Sequence, residues 1–310
     1  MLPAPSNSIP LFRAAGIQVS LHWWWFVVAL IEISYRRGAY TSVAWNVAEY
    51  LALFVIVLLH EFGHALACRQ TGGQADHIVL WPFGGVAFVK PPQRPGAQLW
   101  SIAAGPLVNV LLVPVLSGLI WARMRLGWGA GDADYAHFLL ATWWINVGLL
   151  LFNIMPVYPL DGGQIVRSLL WFVFGRARSL YIASVIGFIG VAALLVLAIL
   201  RMDLWLGLIV IFIGQQCVHG YRQAQALRLL EKLPRHAGFA CPTCQQPPPS
   251  GAIWLCPACG HRFDAFLTRG ICPHCQTPLA TIPCVDCGAQ HPIDRWDSAA
   301  AGGKSPVIDI

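Results

Sequence analysis

Apolar runs dominate the first 220 positions. They recur at lengths that suit bilayer crossings, about 20 residues each. Six are read from the pattern, at 21–35, 43–67, 99–121, 137–156, 180–200 and 204–219. The first is short, and polar Asn146 and Asn153 interrupt the fourth. Between the second and third, residues 78–81 and 86–89 form short apolar segments around Pro82-Phe83-Gly84-Gly85, which predicts a β-hairpin. After about Pro234 the long apolar runs cease. The predicted fold is an all-α polytopic membrane protein of about six transmembrane helices, with a small β-hairpin element and a separate C-terminal module. No cleavable signal peptide is expected. The chain opens Pro- and Ser-rich, with only Arg13 before Trp23-Trp24-Trp25 and no small-residue cleavage site after the apolar run.

Composition agrees with a bilayer setting: 57% of residues are hydrophobic, 11% are charged, and there are 14 Trp. Charge then gives an orientation. With six crossings, one side carries most of the Lys and Arg, among them Arg69, Arg94, Arg167, Arg178 and Arg222. The other side has Arg36, Arg37, Arg123, Arg125 and Arg201, partly offset by Asp132, Asp134 and Asp203. The positive-inside rule therefore predicts a multi-pass protein of the cell membrane with both termini cytoplasmic. The net charge of +6 follows this asymmetry, and nucleic acid is not an expected partner.

Against this apolar background, His60-Glu61-Phe62-Gly63-His64 stands out at the end of the second run. On a helix His60 and His64 lie one turn apart on one face, a spacing that suits two imidazoles on one metal. Glu61 points the same way without needing to ligate, the place of a general base acting on water at the metal. Ionisable groups at membrane depth are functional by default, because burying them there is costly. A catalytic zinc takes a third protein ligand. Position 70 is Gln, so a third His six residues beyond His64 is absent, and the only later Glu is Glu231, outside the last run. Asp161 is the remaining acidic candidate at membrane depth. The second and fourth runs cross in the same direction, so His60, His64 and Asp161 end at one level.

The paired stretches His60 to His64 and Asn153-Ile154-Met155-Pro156-Val157-Tyr158-Pro159-Leu160-Asp161-Gly162-Gly163 resemble the signature of the site-2 proteases, intramembrane zinc metalloproteases. Gly16 to Trp23, Pro82 to Gly85, and Ala104-Gly105-Pro106 with Asn109 are similar to the same family, over roughly residues 11 to 220. The resemblance implies that His60, His64 and Asp161 hold one catalytic Zn2+ and that Glu61 activates water. It also implies that Asn153 contacts substrate backbone or helps stabilise the oxyanion. The substrate would be a membrane protein cut in or near a transmembrane segment. Such a segment hides its peptide bonds and must unwind, which suits the helix breakers Pro156, Pro159, Gly162 and Gly163. The hairpin at 77–90 would be a re-entrant element whose edge could receive extended substrate.

Other residues have plainer readings. His22 and its neighbouring tryptophans read as an interfacial belt. Ala104-Gly105-Pro106 reads as close helix packing with a kink, and Cys68, Cys217 and His219 as ordinary packing. The intramembrane core is placed at 1–235.

Residues 236–296 have another character. Cys241/Cys244, Cys256/Cys259, Cys272/Cys275 and Cys284/Cys287 are four C-x-x-C pairs. They are read as two zinc ribbons in tandem, 241–259 and 272–287, each with four thiolates on one structural Zn2+. Few large apolar residues surround them, so metal should supply much of the folding energy. A cytoplasmic setting favours thiols over disulfides. The module is near neutral, which suits a cytoplasmic protein partner better than a phosphate. Residues 297–310 read as a flexible tail. The rival to a protease is a non-catalytic membrane scaffold whose ribbons bind partners.

Overall fold

The computed structural model describes residues 8–36, 38–81, 84–129 and 131–297. The tail read at 297–310 lies outside the described residues beyond Asp297, as do Pro82 and Phe83 of the hairpin. Strands β1 (Ser8–Ala14) and β2 (Ile17–His22) are antiparallel, joined through Ala15 and Gly16, both at positive φ as a two-residue hairpin turn requires. Helix α1 (Trp24–Tyr35) follows, then α2 (Val43–Gln70), opened by Ser42, whose hydroxyl accepts from the amide of Ala44. The chain returns in β3 (Gln74–Trp81), parallel to β2, and β4 (Gly84–Lys90), antiparallel to β3.

The sheet has the order β1-β2-β3-β4. The expected hairpin is present, but it is half of a mixed four-stranded sheet, because residues 8–22 extend and pair with it. Alternation in β2 buries Ile17 and Val19, and β3 buries Ile78 and Leu80, against Val57, Ala65 and Cys68 of α2. Each of the Ile, Val and Leu side chains removed from water contributes about 1.5–3 kcal/mol, so α2 is held firmly on the sheet. His22 is buried at the end of β2 and stacks on Trp81 with ring centroids 4.0 Å apart. It is packed into the sheet, while its neighbours Trp23 and Trp24 are exposed.

Four helices complete the membrane unit up to residue 201: α3 (Pro95–Leu126), α4 (Ala133–Ile154), α5 (Asp161–Phe174) and α6 (Arg176–Arg201). Helix α3 starts on Pro95 and ends at left-handed Gly127. Helix α7 (Leu204–Lys232) follows. Among the described residues, α2, α3, α4 and α6 are long and apolar enough to cross a membrane, and α1 is a shorter apolar helix of 12 residues. Large apolar side chains such as Leu111, Trp144, Leu151, Ile189 and Val196 are more than half exposed, as lipid contact requires. Helix α5 occupies what the apolar pattern leaves as a connection. Its Gly162 and Gly163 sit inside the first helical turn and do not break it. A Cβ on Gly162 would strike the backbone of Ile154, and one on Gly163 that of Val157 and Tyr158.

Contacts divide the chain into two compact units, Met1–Tyr221 and Arg222–Ile310. The second unit holds β5 (Trp254–Leu255) paired with β6 (Arg262–Phe263), and β7 (Ile282–Pro283) paired with β8 (Gln290–His291). Its centre is more apolar than the composition of the region suggests, because Trp254, Phe263, Phe266 and Trp296 are all buried together. Asp264 ties it locally. It accepts hydrogen bonds from the amides of Gly251 at 2.6 Å and Phe266 at 3.0 Å, and from His236 Nε2 at 2.8 Å. Burial raises the Asp264 pKa, but these hydrogen bonds outweigh it and hold the carboxyl below the ordinary carboxylate value.

Candidate metal centres

Near the C-terminal end of α2, one helical turn carries His60, Glu61 and His64, with His60 and Glu61 each 6% exposed. The non-helical stretch after α4 brings Asp161, the first residue of α5, to the same point. His60 Nε2 and His64 Nε2 are 3.0 Å apart, and Asp161 Oδ2 lies 3.1 Å from the first and 3.3 Å from the second. Tetrahedral zinc with ligands at about 2.0–2.2 Å would set those atoms about 3.3–3.6 Å apart, within a few tenths of an ångström of the spacing here. The triangle therefore fits three corners of a zinc site. Asp161 Oδ2 is buried and makes no hydrogen bond, the condition of an oxygen waiting for a cation.

Neighbouring helices shape this triangle. His64 Nδ1 donates to the backbone carbonyl of Ser101 on α3 at 2.9 Å. His60 Nδ1 faces Asn109 Oδ1 at 2.6 Å, and Asn109 in turn is bonded to Asn146 of α4. Gly105 of α3 is required by close approach, since a Cβ there would occupy the His64 imidazole. The apolar pattern marks Asn146 only as an interruption; its link to His60 runs between helices and leaves no local signal. The Ser101 contribution is a main-chain carbonyl, for which side-chain identity carries no signal at all.

Glu61 lies on the sheet side. Its Oε2 accepts from the amide of Ala87 in β4 at 2.9 Å, and the space beside Gly85 is filled by the same side chain. One of its carboxylate oxygens lies within 4.8 Å of a ring nitrogen of each histidine, close enough to reach a metal ion or a water held there. Glu61, His64, Asn153, Asp161 and Gln164 line one cavity of about 500 Å³. Asn153, four residues from the Pro-rich stretch's Val157, reaches that cavity from the last turn of α4. Cys68 is fully buried, with Sγ 3.5 Å from the Gln74 carbonyl, and Cys217 Sγ lies 2.7 Å from the Tyr158 carbonyl. Both are packing residues.

The cysteines of the second unit meet in two groups of four. Cys241, Cys244, Cys284 and Cys287 form one, and Cys256, Cys259, Cys272 and Cys275 the other. The tandem pairing read from spacing is corrected: the sites are nested, the first C-x-x-C joining the last and the two middle pairs joining each other. The reason is the fold. Hairpins β5-β6 and β7-β8 pack on a shared aromatic centre, which returns the last pair to the first. Cross-pair Sγ distances are 3.7 Å for Cys241–Cys287 and 3.5 Å for Cys256–Cys275. Four thiolates about 2.3 Å from zinc would stand about 3.7–3.8 Å apart, so both groups fit a closed structural ion.

Comparison with known proteins follows the same lines. The description "Peptidase family M50" matches residues 48–125 and 115–197. A zinc metalloprotease of Methanocaldococcus jannaschii is 33% identical over 208 residues, covering 66% of this chain and 58% of that protein. Rip3 of Mycobacterium tuberculosis is 31% identical over 179 residues, 53% of this chain and 44% of that protein. The chain thus spans about half the length of these relatives. Among solved structures, the site-2 protease from Methanocaldococcus jannaschii matches with a TM-score of 0.50 and 29% identity, covering 69% of this chain and 95% of that one. Taken with the histidine–aspartate triangle inside an apolar bundle, these similarities assign the chain to peptidase family M50, the site-2 proteases.

Proposed function

We propose that the protein is an intramembrane zinc metalloendopeptidase that hydrolyses peptide bonds in or near transmembrane segments of membrane-protein substrates. The convergence of His60, His64 and Asp161 beside Glu61, inside a cavity, carries this reading. Zinc held by those three side chains would polarise the scissile carbonyl and make water more acidic. Glu61 is the general base: it takes the proton of the attacking water and delivers it to the departing amine. The Ala87 amide orients Glu61 for that transfer. Asn153 presents its amide to the substrate backbone from the cavity wall. The free edge of β4 is the place for an unwound substrate strand to pair.

Six crossings, with α1 and α7 as first and last, keep both termini on the cytoplasmic side of the cell membrane. The parallel pairing of β2 with β3 supports the first two of these crossings, because α1 and α2 lie between them and the chain must leave and return to one face. We assign catalysis to a core at 1–235 and a supporting role to the module at 236–296. That module would hold two structural zinc ions, one in each nested group, and offer a cytoplasmic protein partner its surface.

Glu61→Gln in the purified full chain tests the reading. Cleavage of a single-span substrate should fall by several orders of magnitude while the zinc removed by His60→Ala remains bound. Unchanged cleavage in Glu61→Gln would overturn it, and absence of any cleavage by the zinc-loaded wild type on a panel of single-span substrates would favour a scaffold.

A further inference from the structure

The hydrogen bonds behind His60 have only one consistent polarity. The backbone carbonyl of Asn109 can only accept, and a side-chain atom of Asn146 lies 3.0 Å from it, so that atom is Nδ2. Asn146 Oδ1 is then left to accept from Asn109 Nδ2 at 2.9 Å. Asn109 must consequently show its oxygen to His60, at 2.6 Å from Nδ1. Nδ1 carries the proton, and the lone pair of Nε2 is left facing His64 and Asp161. Asn109 and Asn146 are both fully buried, so no solvent competes for these partners. His64 reaches the same state in one step, through the carbonyl of Ser101.

We propose that Asn146 is a positioning residue that sets the His60 tautomer through Asn109, and so prepares Nε2 for metal. A backbone carbonyl of α3, read out by an amide of α4, determines which nitrogen of an α2 imidazole is free. This inference rests on the zinc reading of the triangle. A hydrogen bond that merely packs α3 against α4 would bring the helices together equally well, but it would have no effect on the imidazole.

The test is a double-mutant cycle on the purified full chain. Two readouts are needed: zinc affinity of the site abolished by His60→Ala, and the imidazole ¹⁵N spectrum of metal-free protein with His60 assigned by that variant. In Asn146→Leu the Asn109 amide is free to turn. The His60 signal should divide between tautomers, and zinc should bind about 10- to 100-fold more weakly. In Asn109→Asp a carboxylate shows oxygen to His60 whichever way it turns, so adding Asn146→Leu should then change neither readout. Asn146→Thr serves the same cycle if the leucine variant does not fold. Equal losses from Asn146→Leu in both backgrounds, or an unchanged tautomer with unchanged affinity, would overturn the proposal alone. Wild type without His60-dependent zinc would overturn the metal reading beneath it.

Discussion

The amide of Ala87 and the carboxylate of Glu61 meet at 2.9 Å, so the edge of strand β4 holds the base proposed for hydrolysis. The absent side chain of Gly85 completes the arrangement, because Glu61 fills the space a Cβ would take. Gly85→Ala should therefore displace Glu61 while leaving His60, His64 and Asp161 in place. Cleavage should drop at least about 10²-fold, the scale of a general base moved out of position, with zinc content unchanged. Parallel assays of zinc per chain and substrate cleavage check this, and full activity in the alanine variant would refute it.

Gly105 makes a different prediction. An alanine there pushes on the His64 ring itself, so metal should be lost before the fold is. Zinc affinity of the intramembrane site should weaken by at least the 10- to 100-fold seen for disturbed ligand support, roughly. Chelator competition measures it, and Gly118→Ala in the same helix, where a Cβ meets nothing within 4 Å, is the control.

Nested thiolate sites can be told from tandem ones by counting metal. Cys241→Ser with Cys287→Ser strikes one site and should release one zinc per chain, whereas Cys241→Ser with Cys256→Ser strikes both and should release two. A tandem pairing reverses the two results.

Asp264 should give the second unit an acid-sensitive hydrogen-bonded core. Its carboxyl titrates below the ordinary value when folded, so the stability it contributes is present above the unfolded value of about 3.9 and is lost as pH falls through the folded one. Asp264→Asn keeps the shape but weakens charge-assisted bonds, at a cost of about 1.5–3 kcal/mol near neutral pH. Hydrogen exchange at the amides of Phe266 and Leu267 should speed up accordingly, and the difference from wild type should shrink toward the bottom of the acid range.

The parts legible in the sequence are those written locally. His60 and His64 declare themselves by a four-residue spacing, and Asp161 by the lack of a suitable His or Glu after His64. The hairpin at β3 and β4 is announced by two apolar segments about the sequence Pro-Phe-Gly-Gly. What stayed hidden depends on distant partners. Residues 8–22 join the sheet only because β3 supplies an edge far along the chain. Helix α5 has too few residues to stand out as a crossing. Four C-x-x-C pairs can be grouped in more than one way, and the aromatic centre at Trp254, Phe266 and Trp296 decides among them. Asn146 reads as a flaw in an apolar run until α3 is laid beside it.

The parallel register of β2 on β3 also imposes a schedule on synthesis. Residues 17–22 leave the ribosome long before residues 74–81, and the apolar helices α1 and α2 are made in between. At about 5–20 residues per second the wait lasts several seconds. Throughout it β2 has only β1 on one side, and its other edge is bare. The floor on which α2 rests Val57, Ala65 and Cys68 is therefore laid late, after the helix that bears them has been made.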